Sequence, residues 1–226
     1  MAFLGHVGRD ELLLVRDSIR MRSSSSEDID TKRGYKQPTD EQGLVPTDMS
    51  QESHLVEILC ALRDHHVDFV VAGGVAMVLH GVERTTLDLD VAVSLEPDNL
   101  RRFLEAMTNL RLVPRAPVPA EIILDGRSIA ALIREKNALV FTFWSPQEPY
   151  RQIDLFLTRE NSFDDLIADA YLLEIRGRVI RVASRRKLIE MKSRVRPVRE
   201  KDINDIRALS ELEAKERDNE GRTGNE

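Results

Sequence analysis

The segment at residues 87–93 constrains the fold of this chain more than any other. It reads Leu-Asp-Leu-Asp-Val-Ala-Val, and this alternation of side chains has the period of two that is typical of a β-strand. Because residues two apart on a strand point to the same side, Asp88 and Asp90 share one face. Two ionised carboxylates on one face repel each other and are costly to bury, so the segment predicts a compensating cation. An exposed acidic pair on a half-solvated strand is the alternative for this motif alone.

A glycine pair lies one predicted strand upstream of the acidic pair. Residues 67–71 have strand composition, and Gly73 and Gly74 follow them before a short helical segment that Gly81 closes. Backbone N–H groups at a helix start, together with missing Cβ atoms, allow the close approach of phosphate oxygens. Most glycine pairs only make turns, so this pair gains its meaning from standing before Asp88.

A third carboxylate, Asp154, interrupts the strand-like run at residues 152–157. The apolar neighbours in this run leave no packing reason for a carboxylate. Taken with the acidic pair and the glycine pair, Asp154 predicts a site for Mg²⁺ or Mn²⁺ beside a phosphate-binding turn, because hard divalent cations prefer oxygen ligands.

The remaining pattern predicts an α/β fold. Its mixed sheet would carry the three aspartates on one edge, helices would pack mainly on the opposite face, and C-terminal helices would follow from about residue 184. Further elements are predicted from apolar periodicity as helices at about 51–66, 97–109, 128–136, 163–170, 184–195 and 199–213, and strands at 138–144 and on both sides of Gly177.

Composition and length predict one domain with flexible ends. The chain has 226 residues, 42% hydrophobic and 32% charged, enough for one core. We expect a flexible leader at 1–50, the domain at 51–213 and a disordered tail at 214–226. No run approaches the roughly 20 apolar residues of a membrane span, and charged residues break the N-terminal apolar run, so a cytoplasmic location is expected. The single cysteine, Cys60, falls in an apolar helical pattern and is expected to be a buried thiol.

A basic stripe at residues 176–201 stands out in a chain of net charge −6. It holds eleven Lys and Arg residues against Glu190 and Glu200. Such a stripe is typical either of a contact surface for polyphosphate or nucleic acid or of a solvated helix face.

The motifs together resemble a known superfamily. The run 72–77, His80-Gly81, Arg84-x-Thr86 and Asp88-x-Asp90 is similar to the signature of the DNA polymerase beta-like nucleotidyltransferases. It most resembles the bacterial branch that contains AbiEii-type toxin enzymes and the small aminoglycoside and lincosamide nucleotidyltransferases. The resemblance runs from about Leu55 to Leu209 and implies the polymerase beta-like fold.

The resemblance implies a function and roles for the carboxylates and glycines. Gly73 and Gly74 would bind the phosphates of a nucleoside triphosphate, and Asp88 and Asp90 would bind the metal that bridges them. Asp154 would bind a second metal and help to activate an acceptor hydroxyl. The expected reaction transfers a nucleoside monophosphate to that hydroxyl with release of pyrophosphate, by a two-metal mechanism.

The resemblance also implies roles for charged residues before the acidic strand and in the C-terminal helices. Arg84 would add positive charge near the phosphates or make a surface salt bridge, and Lys192 would reach the triphosphate or the acceptor. Asp202 and Asp205 are second-rank candidates, because Asp202 also suits a helix start and Asp205 also suits a solvent-facing position. The basic segment at 193–199, which precedes Lys201 and Asp202, is longer than in the family pattern.

The acceptor is not readable from the sequence. RNA, tRNA and a small molecule all remain open, as do a toxin that modifies tRNA, with a cognate antitoxin as its partner, and a non-catalytic module that binds nucleotide or nucleic acid. His80 is interpreted as a packing or capping residue. Trp144 and Phe143 are interpreted as core residues at a strand end, with a base pocket as the alternative for the ring.

Overall fold

A computed structural model of the protein describes residues 19–20, 54–84, 86 and 88–223, with side chains described between 54 and 215. The predicted flexible leader therefore lies outside the described residues, apart from residues 19–20.

The described strands form one mixed sheet of eight strands. In chain order they are β1 (Ile19–Arg20), β2 (Phe69–Ala72), β3 (Asp88–Val93), β4 (Val113–Pro114), β5 (Val140–Trp144), β6 (Gln152–Phe156), β7 (Tyr171–Ile175) and β8 (Arg178–Val182). Their order across the sheet is β1-β7-β8-β2-β3-β6-β5-β4. The pairs β2/β8 and β3/β6 are parallel, and the other neighbours are antiparallel. The predicted α/β class with a mixed sheet is confirmed.

Helices connect and follow these strands. They are α1 (His54–Asp64), α2 (Gly73–Leu79), α3 (Pro97–Asn109), α4 (Gly126–Lys136), α5 (Phe163–Ile167), α6 (Arg185–Ser193) and α7 (Glu200–Thr223). Local chemistry explains several starts: Pro97 occupies the first turn of α3, and the Asp125 carboxylate accepts hydrogen bonds from the first backbone N–H groups of α4. Such caps satisfy donors that have no partner within the helix.

The main differences from the sequence prediction are at the ends of two helices and in one connection. Helix α7 continues to Thr223, beyond the predicted end at 213, because the residues that follow include the strong helix formers Ala214, Lys215 and Glu216. Helix α5 ends at Ile167, before the predicted end at 170. The proline-rich connection after α3 contains the short strand β4 and a 3₁₀ helix, Ala120–Leu124, neither of which has a periodic signal long enough to predict it.

The core lies between the sheet and helices α1 and α3. Phe103 of α3 is fully buried and meets Phe143 of β5 in an edge-to-face contact, with ring centroids 5.5 Å apart. Because side chains alternate along β5 and β6, Phe143 and Ile153 point away from Asp154. Helix α3 therefore covers the sheet face opposite the aspartates, as predicted. Cys60 is half-buried rather than buried and lies against this core.

Among the described helices, none is both long and apolar enough to cross a lipid bilayer.

We expect Phe103→Ala to lower the free energy of unfolding by about 3–5 kcal/mol, because it removes a fully buried ring and leaves a cavity beside Phe143. Val179→Ala is the control, since Val179 is 42% exposed and its truncation should cost no more than about 0.5 kcal/mol. Urea unfolding measures both. Equal effects of the two substitutions would contradict this description of the core.

Candidate functional site

Pairing of the central strands brings the three aspartates to one face of the sheet. In the parallel pair β3/β6, Asp90 lies opposite Asp154 and Asp88 lies opposite Gln152. Since residues 88, 90, 152 and 154 have the same parity in this register, their side chains lie on one face, here called the aspartate face. Ala72, the last residue of β2, lies opposite Asp90. The glycine pair that follows Ala72 is therefore next to the carboxylates, as the sequence predicted.

Close approach of a carboxylate explains the first glycine. Gly73 has a φ of +59°, which L side chains rarely adopt. A Cβ atom on Gly73 would lie 1.9 Å from Oδ2 of Asp90. The backbone N–H of Gly74 donates a hydrogen bond to the Asp90 carboxylate. The turn thus requires glycine at position 73 and holds Asp90 against the start of α2.

The second glycine faces the loop before β3. A Cβ atom on Gly74 would lie 2.3 Å from Oγ1 of Thr86 and 3.4 Å from Nη2 of Arg84. Arg84 and Thr86 therefore border the turn, and the Arg-x-Thr element of the sequence motif packs against its glycine element.

Electrostatics at the aspartates indicate an excess of negative charge. Burial, followed by repulsion from Asp154, raises the pKa of Asp90 to about 6, although the Gly74 N–H and Lys192 oppose the shift. Burial also raises the pKa of Asp154, with a contribution from Asp88, while Oγ1 of Thr142 donates to Asp154 Oδ1 at 2.6 Å. A bound divalent cation would relieve these repulsions, and the all-oxygen donor set suits Mg²⁺ or Mn²⁺.

The carboxylates do not converge on one point. Within the described ranges, no group of three or more His, Cys, Asp and Glu side chains lies close enough together to hold a metal ion. The side chains are instead directed apart, because Asp90 points to the glycine turn while the exposed Asp88 accepts a hydrogen bond from Nε2 of Gln152. A metal centre at Asp88, Asp90 and Asp154 therefore stays a prediction.

Two cations lie near the glycine turn, Arg84 from the loop before β3 and Lys192 from helix α6. Nη1 of Arg84 lies 2.7 Å from Oδ2 of Asp205, and Nζ of Lys192 lies 2.7 Å from the same oxygen. Nε of Arg84 is buried without a hydrogen-bond partner. Lys192 is near enough to Asp90 to lower the pKa of that carboxyl. Arg84 thus makes a salt bridge, and it also borders the predicted phosphate site.

The second-rank aspartates are both buried. Asp202 is 1% exposed and Asp205 is 8% exposed, so the solvent-facing interpretation of Asp205 is wrong. Arg199 donates to both oxygens of Asp202, at 2.6 and 3.1 Å, whereas Lys201 is exposed. The sequence could not place Asp205, because its partners Arg84 and Lys192 come from other elements.

Ion pairs occupy much of the basic stripe. Seven of its cations contact carboxylates within the described fold, as the pairs Arg178–Asp64, Arg181–Asp68, Arg186–Asp169, Lys187–Asp165, Lys192–Asp205, Arg194–Glu190 and Arg199–Asp202. These contacts give the stripe a structural role and reduce the positive charge that it offers to a nucleic acid.

Trp144 lies on the aspartate face and not in the core. It stands directly opposite Gln152 in the β5/β6 register and is half-buried, whereas its neighbour Phe143 is 1% exposed. The interpretation of Trp144 as a core residue is therefore wrong, and that of Phe143 is confirmed. Alternation along β5 is the physical reason, because adjacent strand residues point to opposite faces.

His80 has a packing role. Its ring is buried, and Nε2 lies 2.8 Å from the carbonyl oxygen of Ala183. Because a carbonyl oxygen only accepts hydrogen bonds, Nε2 must carry the proton in this contact. The contact ties the end of α2 to the segment after β8.

Comparison with known proteins yields structural matches. No protein-family model matches the chain, and no curated protein sequence matches it. Lincomycin-bound lincosamide antibiotic adenylyltransferase LnuA is similar, with a TM-score of 0.46 and 14% identity over 72% of this chain and 98% of that chain. An antigenic nucleotidyltransferase-like protein from Paracoccidioides brasiliensis has a TM-score of 0.45 and 17% identity over 71% and 77% of the two chains.

The antibiotic-resistance factor ANT(2'')-Ia is a third match, with a TM-score of 0.43 and 16% identity over 76% of this chain and 94% of that chain. All three matches have sequence identities of 17% or less. Their TM-scores lie below 0.5, so conclusions about chemistry depend on the site residues themselves.

We expect Gly73→Ala to destabilise the fold by at least about 2 kcal/mol, because the new Cβ would displace the Asp90 carboxylate and strain a backbone with positive φ. Gly126→Ala is the matched control, since a Cβ at Gly126 would meet no atom within 4 Å. Urea unfolding compares the two. A Gly73→Ala variant as stable as Gly126→Ala would contradict the close approach.

Burial of Asp90, together with repulsion from Asp154, predicts a pH-dependent stability. The raised pKa means that ionised Asp90 disfavours the folded state above about pH 6, and that this cost disappears as the pH falls toward the ordinary value. Asp90→Asn should therefore be more stable than the parent at pH 8, by on the order of 2 kcal/mol, and equal to it below about pH 4. Thermal unfolding across pH measures the difference. Asp98→Asn, at an exposed carboxylate that pairs with Arg101, should not be more stable than the parent at pH 8, and an Asp90→Asn variant less stable than the parent at pH 8 would contradict the cost of burying this charge.

Proposed function

We propose that the protein is a metal-dependent nucleotidyltransferase, which transfers a nucleoside monophosphate from a nucleoside triphosphate to an acceptor hydroxyl. One observation carries the proposal. The parallel register places Asp90 beside Asp154, with Asp88 on the same face and Gly73 in contact with Asp90. Like charges are gathered beside a backbone turn that has donors for phosphate oxygens, and this combination suits a metal-bound triphosphate.

The carboxylates would hold the metal. Asp88 and Asp90 would bind Mg²⁺ or Mn²⁺ at the phosphates, and Asp154 would bind a second ion. Bound divalent ions would stabilise the charge on the attacking and leaving oxygens at the α-phosphate. Rotation of Asp90 away from the turn would free the N–H of Gly74 for a phosphate oxygen.

Cations at the turn would bind the rest of the triphosphate. Arg84 has a buried Nε without a partner, so a phosphate oxygen would satisfy a donor that the protein leaves open. Lys192 lies in contact with Asp205 and near Asp90. It would share its charge between Asp205 and the phosphates.

Asp154 would serve the acceptor. It is half-buried and lies directly opposite Asp90 in the β3/β6 pair, on the side of the sheet toward β5. Thr142 donates to Oδ1 of Asp154, which leaves Oδ2 to receive the proton of the attacking hydroxyl. The acceptor oxygen then forms a bond to the α-phosphorus, the bond from that phosphorus to the bridging oxygen breaks, and pyrophosphate leaves.

We expect the purified protein to form a labelled product from at least one α-labelled nucleoside triphosphate, with Mg²⁺ or Mn²⁺ and a pool of RNA and small-molecule acceptors. The double variant Asp88→Asn, Asp90→Asn should lose at least about 10²-fold of that rate, because it removes oxygen ligands of the metal. Asp98→Asn keeps the same chemical change at an exposed helix position and should retain full activity.

Two results would contradict the proposed enzymatic activity. Equal product formation by the double variant would show that these carboxylates are not required. Unchanged nucleotide binding by the double variant, with no labelled product from either protein, would favour the non-catalytic binding module. The failure of Asp88 and Asp90 to converge with Asp154 on a common point keeps this module as the second candidate.

Transfer to tRNA is not favoured by the described surface. The basic stripe suggested tRNA as the acceptor, but seven of its cations form ion pairs with carboxylates of the protein. RNA and tRNA therefore enter the assay as acceptors on equal terms with small molecules.

A further inference from the structure

We propose that the acceptor binds over strands β5 and β6 with a planar ring on a platform made by Arg115 and Trp144. This inference rests on the proposed nucleotidyl transfer, because it concerns the second substrate of the same site. It also names a chemical class for that substrate: a planar heteroaromatic ring that is uncharged or attached to an anionic group.

The direction of the reaction places the acceptor on this side. The glycine turn follows β2 on one side of β3, and β6, β5 and β4 follow in that order on the other side. In an in-line displacement the attacking oxygen lies opposite the leaving pyrophosphate. With the triphosphate at the glycine turn, the attacking hydroxyl must come from the side of β6 and β5, where Asp154 is the nearest carboxylate.

The platform lies in the same row of side chains as Asp88. Trp144, Gln152 and Asp88 occupy directly opposed positions on three neighbouring strands. Strands are spaced about 4.8 Å apart, so Trp144 stands about 10 Å from Asp88 across the sheet. Asp154 lies one strand across from Trp144 and two residues farther along β6, a separation of about 8 Å that suits a molecule of roughly nucleoside size with its hydroxyl at Asp154 and its ring at Trp144.

Arg115 completes the platform and is coupled to the carboxylates. Its backbone N–H bonds to the carbonyl of Thr142, which extends the β4/β5 pairing. Its guanidinium carbon lies 5.1 Å from the centroid of the Trp144 ring, and Nη2 donates to Oε1 of Gln152 at 2.7 Å. Gln152 in turn donates to Asp88. The guanidinium is therefore fixed in position by an indole on one side and an amide at its edge.

Chemistry selects the ligand class. Arg115 is exposed and Trp144 is half-buried, so flat surface remains open to a ligand within the described part of the chain. A planar guanidinium stacks well on aromatic rings, and stacking of this kind holds nucleobases on proteins. The positive charge of Arg115 opposes an ammonium group at the same place, which disfavours a polycationic acceptor at this platform.

The chain contains one tryptophan, so its fluorescence reports on the platform directly. The experiment first saturates the full-length protein with Mg²⁺ and a non-hydrolysable nucleoside triphosphate analogue. Adenosine monophosphate is then added as the ring probe, and the polycationic tobramycin is added to a parallel sample. We expect adenosine monophosphate to quench Trp144 saturably and tobramycin to leave it unchanged.

Arg115→Ala should raise the half-saturating concentration of adenosine monophosphate at least about fivefold, since it removes half of the stack. Arg127→Ala is the control, because Arg127 is an exposed arginine in the first turn of α4. Trp144→Phe should abolish the signal, and it confirms the source of the fluorescence.

The double variant Asp88→Asn, Asp90→Asn separates this inference from the proposed function. Quenching in the parent protein, with no transfer activity from that protein, would support the ring site and count against the enzyme, whereas quenching that persists in the inactive double variant would support both. Absence of quenching by adenosine monophosphate, or quenching by tobramycin instead, would overturn the platform. Full quenching by the triphosphate analogue alone would assign the platform to the donor base and would equally overturn the inference.

Discussion

Repulsion between carboxylates on neighbouring parallel strands is the constraint on which the rest of the site depends. The β3/β6 pairing sets Asp90 beside Asp154 and leaves Asp88 one pleat away on the same face. Burial of these groups without compensation is unfavourable, and the pKa of Asp90 rises to about 6 as a result. Folding therefore stores an unfavourable charge arrangement that a cation would relieve, as is common where binding sites are preorganised.

The surroundings compensate part of this charge through three different parts of the chain. The N–H of Gly74 at the start of α2 bonds to Asp90, Thr142 of β5 bonds to Asp154, and Lys192 of α6 acts on Asp90 through space. Asp205 connects the C-terminal helices to the site, because its Oδ2 contacts both Arg84 and Lys192. Helices α6 and α7 thus contribute charged groups to the site. A change in α7 that moved Asp205 would alter the position of both cations.

Local sequence patterns were sufficient for the acidic strand, the glycine turn and the third aspartate. Alternation predicts that Asp88 and Asp90 share a face, and the register between β3 and β6 confirms that Asp154 joins them. Patterns of this kind did not predict the partners of Asp205 or the face of Trp144. Arg84 and Asp205 are 121 residues apart in the chain, and only the packing of α7 brings them together. Likewise, whether Trp144 points to the core or to the aspartate face depends on which residues of β5 face inwards. A continuous apolar run does not show this.

The role of the basic stripe also depends on contacts that the sequence pattern does not show. Its composition permits either a binding surface or a set of structural ion pairs, and the choice depends on where Asp64, Asp68, Asp165 and Asp169 lie in space. The fold brings each of them against a stripe cation. Net charge along a sequence is therefore a weak guide to the charge that a folded surface presents.

The central claim is that the three aspartates hold divalent cations beside a triphosphate. A crystal structure with Mn²⁺ and a non-hydrolysable nucleoside triphosphate analogue, recorded at a wavelength where manganese scatters anomalously, tests it most directly. The account predicts anomalous density within coordination distance of carboxylate oxygens of Asp88 and Asp90, with Asp90 rotated off the glycine turn and phosphate oxygens at Gly73 and Gly74. Anomalous density elsewhere, or a nucleotide bound with no metal at these carboxylates, would contradict it.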